Sequence, residues 1–515
     1  MLKADALNSC NDEKAAALSA PAFLHAPPNP LREVRMHLEP PAAPLSAEEE
    51  ATTHGGPKTL MPSHSPTFGL RQGALSPLET LAQSVSLIAP STSPPLTVPL
   101  VFALAGQGTA IAYLIAMGLM VLVGLCIAAF ARESSSPGSL YVYTRMSLPP
   151  VASATTAWAL FFAYITTASA VIGGFLSFAY PFLGSLGPHI PAVVLTAFVA
   201  VAAGWVAYRD VQISARMMLY IEAVSVTLIT IVIAITLIKH GFHLDHAQFN
   251  LHAISGRGVG LGVMLAIFSF VGFESATTLG AEARNPLQTI PRAVIQSALL
   301  AGVFFVVCSY GATLGFQSSS VALDKSDAPF HFLSAQAGVP MLGHIIDAGV
   351  LVSMFAATLA CVIAASRVLL LMAHHGLAHR RLTQTHARNE TPGFASILAA
   401  LLAWLPAAAL AVHGTSGADI YGWMGTLAVY GFLTAYGMGA VALAFHLKEQ
   451  GRLTLGAMVL TASAALAMLL AMASNFYPVP PAPLRYFPYV YGGYLGLALI
   501  WLAMRNKSQT PTHAV

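Results

Sequence analysis

Long apolar runs, rather than strict alternation, dominate the chain from residue 78 onward. A bilayer core of about 30 Å takes about 20 apolar residues per helix. Twelve runs approach or exceed that length: 78–105, 109–131, 153–180, 190–208, 213–238, 258–281, 291–316, 342–372, 394–412, 419–446, 454–474 and 486–504. They are too long and too continuously apolar to be barrel strands, so helices are expected. The pattern predicts an all-α polytopic membrane protein of about twelve crossings.

Before residue 76 the pattern is lost. Residues 1–75 carry 14 charged side chains and are rich in Ala, Pro, Ser, Glu and His, with no sustained apolar run. They read as a disordered tail and lack the apolar core of a signal peptide; Met61 offers an alternative start ahead of the structured part. Residues 506–515 read as a second, short tail around a permease domain of 76–505.

Composition sharpens this picture. Of 515 residues only 9% are charged, and the mean hydropathy is +0.69. A soluble domain carries about 25% charged residues, so an ordinary soluble enzyme is excluded. The net charge of +3 is too small and scattered for nucleic-acid binding. Cys126, Cys308 and Cys361 lie within apolar runs and Cys10 in the tail; no metal spacing or disulfide framework is indicated. With the tail placed in the cytoplasm, Lys and Arg divide 20 inside to 4 outside, and 14 to 4 without the tail. This bias predicts both termini on the cytoplasmic side of a bacterial-type inner membrane.

Two spans are interrupted. In the first, Pro90, Pro94 and Pro95 surround Ser91, Thr92 and Ser93. Each proline removes a backbone donor, so the helix is expected to unwind at 89–93. Freed backbone groups at membrane depth are tolerated only where they are buried in protein or line a cavity. The alternative is a proline kink patched by hydroxyls. In the sixth span, Gly272-Phe273-Glu274-Ser275 places an acid at mid-membrane depth, where it is costly and functional by default; the alternative is a structural hydrogen bond to a neighbour. The interrupted spans open two runs of five, 78–238 and 258–446, followed by two further helices within 454–504. An odd repeat inverts the second half, and paired interruptions point to a transporter's substrate site.

Four stretches carry a family resemblance: SVSLIAPSTSPP with VPLVFALAGQG, SPGSLYVYTR, GFESATTLGAEARNPLQTIPRAV and SRVLLLMAHHGLAH. Over about residues 75–505 the chain resembles amino acid permeases of the amino acid–polyamine–organocation superfamily. The resemblance implies a five-plus-five inverted repeat of the LeuT-like kind, with discontinuous helices 1 and 6. It also implies that unwound backbone holds the substrate's carboxylate and ammonium. By position these segments are Ala89, Pro90, Ser91, Thr92 and Ser93, and Phe268, Ser269, Phe270, Val271 and Gly272. Helix N-termini suit a carboxylate, and opposed carbonyls suit an ammonium. The first break is often Gly-Ser-Gly in this family; here it reads Ser91-Thr92-Ser93. Phe268 matches an aromatic that commonly serves as outer gate.

The function expected is secondary active transport of an amino acid or related amine by alternating access, without enzymatic chemistry or a cofactor. Glu222 and Glu274 are acids well inside predicted spans and the candidates for ion coupling. In some relatives a Lys stands near the Glu222 position, where related transporters hold sodium. Protons are favoured over sodium; sodium would draw on Ser353, Thr358 or Ser366. Amine exchange or sodium symport on the same fold is the alternative, and an intramembrane enzyme or a channel is a more distant one. A P-loop is absent from the sequence, which argues against an ATP-driven pump. His240, His243, His246 and His252 with Asp245 read as a polar loop rather than a metal site, and His374, His375, His379 and His386 as neighbours of lipid headgroups. The glycines at 256, 258, 260 and 262 enter a membrane helix, where close packing explains them better than nucleotide binding.

Overall fold

The computed structural model describes residues 68–508 apart from 210–211, 242–244, 251, 253, 318, 327 and 478. The tail up to residue 67, His243 and residues 509–515 lie outside the described residues.

Helix α1 (Pro77–Ile88) begins with a capping box, in which Ser76 accepts from the Glu79 amide and Glu79 from the Ser76 amide. It ends at Ala89, whose left-handed backbone (φ 49°) turns the chain. α2 (Ser93–Ala105) restarts after four residues. The unwinding expected at 89–93 is seen at 89–92, and Pro94 and Pro95 open α2 in its first turn, where no amide is missed. α3 is Thr109–Ala131, α4 Ser139–Arg145, α5 Pro150–Leu183, α6 Ala192–Arg209 and α7 Gln212–Lys239. The second half runs α8 (Gly256–Phe268), α9 (Pro286–Phe316), α10 (Pro329–Ala337), α11 (Pro340–His374), α12 (Gly393–Val412) and α13 (Gly417–Glu449). Helices α14 (Leu455–Ala473) and α15 (Phe487–Ser508) follow.

Among the described residues, ten stretches are long and apolar enough to cross a membrane. One, Pro77–Ala131, holds both the broken first helix and α3; the shorter apolar α8 opens a further crossing. The protein is a multi-pass membrane protein, and among the described residues its architecture is nearly all helical. The short helices α4 and α10 escape a search for twenty-residue apolar runs because each is less than half that length.

Helices α5, α11 and α13 form the packed centre. They are buried around most of their circumference, so their apolar residues show no single face. Peripheral helices α6, α12, α14 and α15 instead present Val201, Trp205, Leu401, Leu469 and Ile500 outward, as a lipid-facing surface requires. Residues 68–75, assigned to the tail on composition, belong to the folded body. Leu70 and Leu75 are buried, and Leu75 exchanges backbone hydrogen bonds with Glu282 (2.9 Å) and Arg284 (2.8 Å).

Candidate functional site

The two interrupted spans meet. After α8 ends at Phe268 the chain does not resume as a regular α-helix: turns and a short 3-10 segment, Ser275–Leu279, lead to α9. The sixth span expected as a helix with one break is therefore a half-helix followed by irregular backbone. That backbone is satisfied by side chains from neighbours. Ser84 of α1 donates to the Phe273 carbonyl at 2.8 Å and accepts from the Ala276 amide at 3.0 Å. Ser297 of α9 also donates to the Phe273 carbonyl, at 3.0 Å, and Ser275 to the Gln83 carbonyl at 3.2 Å. Gly272 sits at φ +90°, and a Cβ there would run into Leu87. Only glycine allows the turn and the close approach of α1 together.

At the first break the N–H of Ser91 donates to Glu222 Oε2 at 3.3 Å. Ser353 of α11 donates to Glu222 Oε1, and Thr92 donates to Ser353 at 3.1 Å. A carboxyl from α7 thus gathers the unwound turn of helix 1 and the middle of α11. Glu222 is fully buried. Of the other hydroxyls considered on α11, Thr358 and Ser366 bond to carbonyls of their own helix.

Glu274 is also fully buried. Tyr164 of α5 donates to its Oε1 at 2.9 Å and Tyr436 of α13 to its Oε2 at 2.5 Å. It ties the second break to α5 and α13, two of the three central helices. Phe268 is buried against Tyr421 of α13, ring centroids 5.2 Å apart and tilted edge to face; the Tyr421 hydroxyl also meets Thr97 of α2 at 2.9 Å. Tyr421 therefore joins α2, the end of α8 and α13. Ser269 pairs with the Tyr113 hydroxyl at 3.0 Å. Ala89, Phe268, Phe270 and Val271 are part of one buried apolar cluster. The hydroxyls of Ser86, Thr167 and Ser169 are buried without a hydrogen-bond partner, on the two helices, α1 and α5, that flank this region.

Sequence reasoning missed an ion pair. Arg367 of α11 grips Glu282 with Nε at 2.6 Å and Nη2 at 2.7 Å, and both side chains are buried. Arg367 falls inside the span 342–372 that hydropathy marks, and its charge at that depth is the signal that could have found the pair. Tyr164, Tyr436, Tyr421 and Ser353 carry no motif of their own; their partners are more than a hundred residues away in sequence.

The discounted histidines stay outside this site. Asp245 is engaged by the Ala247 amide and by Gln248 and Gln317. His375 meets the Tyr141 hydroxyl at 2.7 Å, and burial, with the charge of Arg145, pushes its pKa down to about 4.

Comparison with known proteins places this geometry in context. The chain is 26% identical over 306 residues to the branched-chain amino acid permease BcaP of Bacillus subtilis (strain 168), covering 56% of this chain and 64% of that protein. The BcaP of Lactococcus lactis subsp. cremoris is 27% identical over 303 residues, 55% of this chain and 65% of the relative. A methylthioribose transporter of Bacillus subtilis is 22% identical over 304 residues, 56% of this chain and 64% of the relative. The matched segments span somewhat less than two thirds of each relative. The structure of MhsT in complex with L-phenylalanine superposes with a TM-score of 0.56 at 14% identity, over 79% of this chain and 100% of that one, a likeness of fold: the LeuT-like inverted repeat. Residues 96–509 match the amino acid permease family profile. The chain belongs to the amino acid permease family.

Proposed function

We propose that the protein is a secondary transporter that moves a neutral, apolar amino acid across the cytoplasmic membrane by alternating access, coupled to protons through Glu222. The observation that carries this reading is the meeting of two interrupted helices within the buried centre of the fold, with Glu222 joined to both the helix 1 break and α11. Ala89 to Ser93 and Phe268 to Gly272 supply the substrate's backbone contacts, and Phe268 with Tyr421 covers them as an outer gate. Repeats of 78–238 and 258–446 move against one another, with both termini cytoplasmic, as the charge bias requires.

The chemistry favours a zwitterion over a polyamine. A cationic amine needs an unengaged carboxylate, and both buried acids near the breaks are already bonded. The apolar surroundings, Ile88, Phe268 and Val271, suit a branched side chain, the substrate class in the BcaP name.

Coupling follows from the partners of Glu222. A carboxyl held by hydroxyls keeps its bonds when protonated, because a hydroxyl turns from donor to acceptor. Protonation turns the Ser353 hydroxyl from donor to acceptor and weakens the hold of Glu222 on the Ser91 N–H, so the junction differs between the two protonation states. Sodium is the second reading, favoured by the oxygens of Glu222, Ser353 and Thr92 at one junction. Three side chains are a thin shell beside the six or so oxygens that hard cations prefer.

A thermal-shift screen of the purified protein against amino acids and amines tests the substrate. A ligand at 100 times its dissociation constant adds about 2.7 kcal/mol. Stabilisation by leucine, isoleucine or valine supports the proposal. Stabilisation by polyamines alone, or by no amine or amino acid, overturns it.

A further inference from the structure

On the side of the molecule that the charge bias assigns to the exterior, α10 lies against the first turns of α11. His331 of α10 faces His344 and Asp347, which stand three residues apart on one face of α11. His331 Nδ1 lies 3.2 Å from Asp347 Oδ2. The rings of His331 and His344 are 4.5 Å apart between centroids and tilted by 77°. One ligand atom from each residue falls within 4.8 Å of the other two. Gly343 makes this approach possible: a Cβ there would meet His331 Nδ1 at 2.9 Å and crowd Ser334.

We propose that His331, His344 and Asp347 form a zinc site that clamps α10 onto α11. Two imidazoles and one carboxylate are a donor set zinc takes, leaving its fourth position to water. For ligands about 2.1 Å from a tetrahedral zinc, the separation between ligand atoms is about 3.4 Å. The His331–Asp347 pair already stands at 3.2 Å. His344 is exposed, so its ring is free to turn the remaining distance. The cationic groups nearby in sequence are committed elsewhere: Lys325 pairs with Asp324 at 3.3 Å, and Lys239 donates to the Gln336 carbonyl at 2.8 Å.

The clamp has a mechanical consequence. α10 also packs against α2, α7 and α9, so it touches the outer half of broken helix 1 while α11 carries Ser353 of the Glu222 cluster. Zinc bound from outside fixes these elements in their present packing and slows the cycle. That consequence rests on the transport reading; the binding does not.

The test is zinc titration of the full-length protein in detergent, using competition with a chromophoric chelator to count tightly bound ions per chain. Histidines elsewhere bind zinc too, so the comparison is between variants. His344→Ala and Asp347→Asn are each expected to lose one ion or to weaken it at least about tenfold, while His252→Ala retains it. External zinc should then slow uptake by the parent protein and not by His344→Ala. Equal stoichiometry and affinity in the parent, His344→Ala and Asp347→Asn overturns the site. Binding that disappears with His344 but leaves uptake untouched overturns the clamp alone. Absence of all uptake refutes the transport reading and leaves the zinc count to stand by itself.

Discussion

Three of the buried carboxyls among the described residues are held in two different ways. Glu282 meets a charge, the bidentate guanidinium of Arg367. Glu222 and Glu274 meet only neutral donors: Ser353 and the Ser91 amide for one, Tyr164 and Tyr436 for the other. An ion pair away from water locks both partners in their charged forms, because losing either charge strands the other. Hydroxyl partners impose no such lock. Glu282 also lies beside the backbone pairing of Leu75 with Glu282 and Arg284, where helix 1 enters the bundle. The difference separates a fixed ion pair from the hydroxyl-held carboxyls on which the proposed proton coupling draws.

Breaking the ion pair should have the largest effect. Arg367→Met leaves Glu282 buried and unpaired, and is expected to cost about 3–5 kcal/mol in detergent unfolding. Adding Glu282→Leu should recover most of it; a double variant as unstable as the single would show that the pair is not the unit. Next comes Tyr436→Phe, which removes a hydroxyl from Glu274 and should cost about 1.5–3 kcal/mol. A change no larger than that of an exposed tyrosine would contradict the bond.

Glu222→Gln is the sharper test of the hydroxyl-held class. The amide satisfies the Ser91 N–H through its oxygen and Ser353 through its nitrogen, so stability should fall by about 1 kcal/mol at most. Uptake should nevertheless stop responding to a pH gradient. Unchanged pH response in that variant would move the proton role elsewhere. Ala89→Gly relieves a left-handed alanine (φ 49°) and should stabilise by up to about 1 kcal/mol, seen as a raised melting temperature.

The smallest effect concerns a partly exposed carboxylate outside the membrane. Burial opposes the charge of Glu133, but hydrogen bonds from His446, Gln450 and Arg452 hold its pKa below the usual range. A depressed folded pKa contributes stability above the unfolded value, and that contribution is lost as pH falls through the folded one. Solvent screening keeps it well under about 1 kcal/mol. Acid melts of Glu133→Gln and the parent should converge at low pH and at high salt; a constant gap would refute the assignment.

How much of this was legible beforehand depended on what each feature requires of the chain. Membrane helices need long apolar runs, so the spans were readable without partners. Glu274 stood out because an acid at mid-membrane is rare, and Gly272 beside it because it permits a sharp turn. Pro94 and Pro95 marked the break, since a proline that cannot sit in a helix interior opens a first turn well. The partners of Glu274 and Glu222 were invisible: a tyrosine in an apolar helix gives no sign of which acid, more than a hundred residues away, it will meet. Arg367 lies within an apolar span, but near its end a basic residue reads equally well as part of the inner charge bias. The His331–His344–Asp347 cluster has no motif spacing, since α10 brings its third member from another element.

The most direct test of the central claim is uptake of a radiolabelled branched-chain amino acid into proteoliposomes carrying a pH gradient and no sodium. The account predicts accumulation above equilibrium by the parent protein, collapse of that accumulation on adding a protonophore, and loss of gradient-driven accumulation in Glu222→Gln with substrate binding retained. Accumulation that requires sodium and ignores the pH gradient, or no uptake of any amino acid, would contradict it.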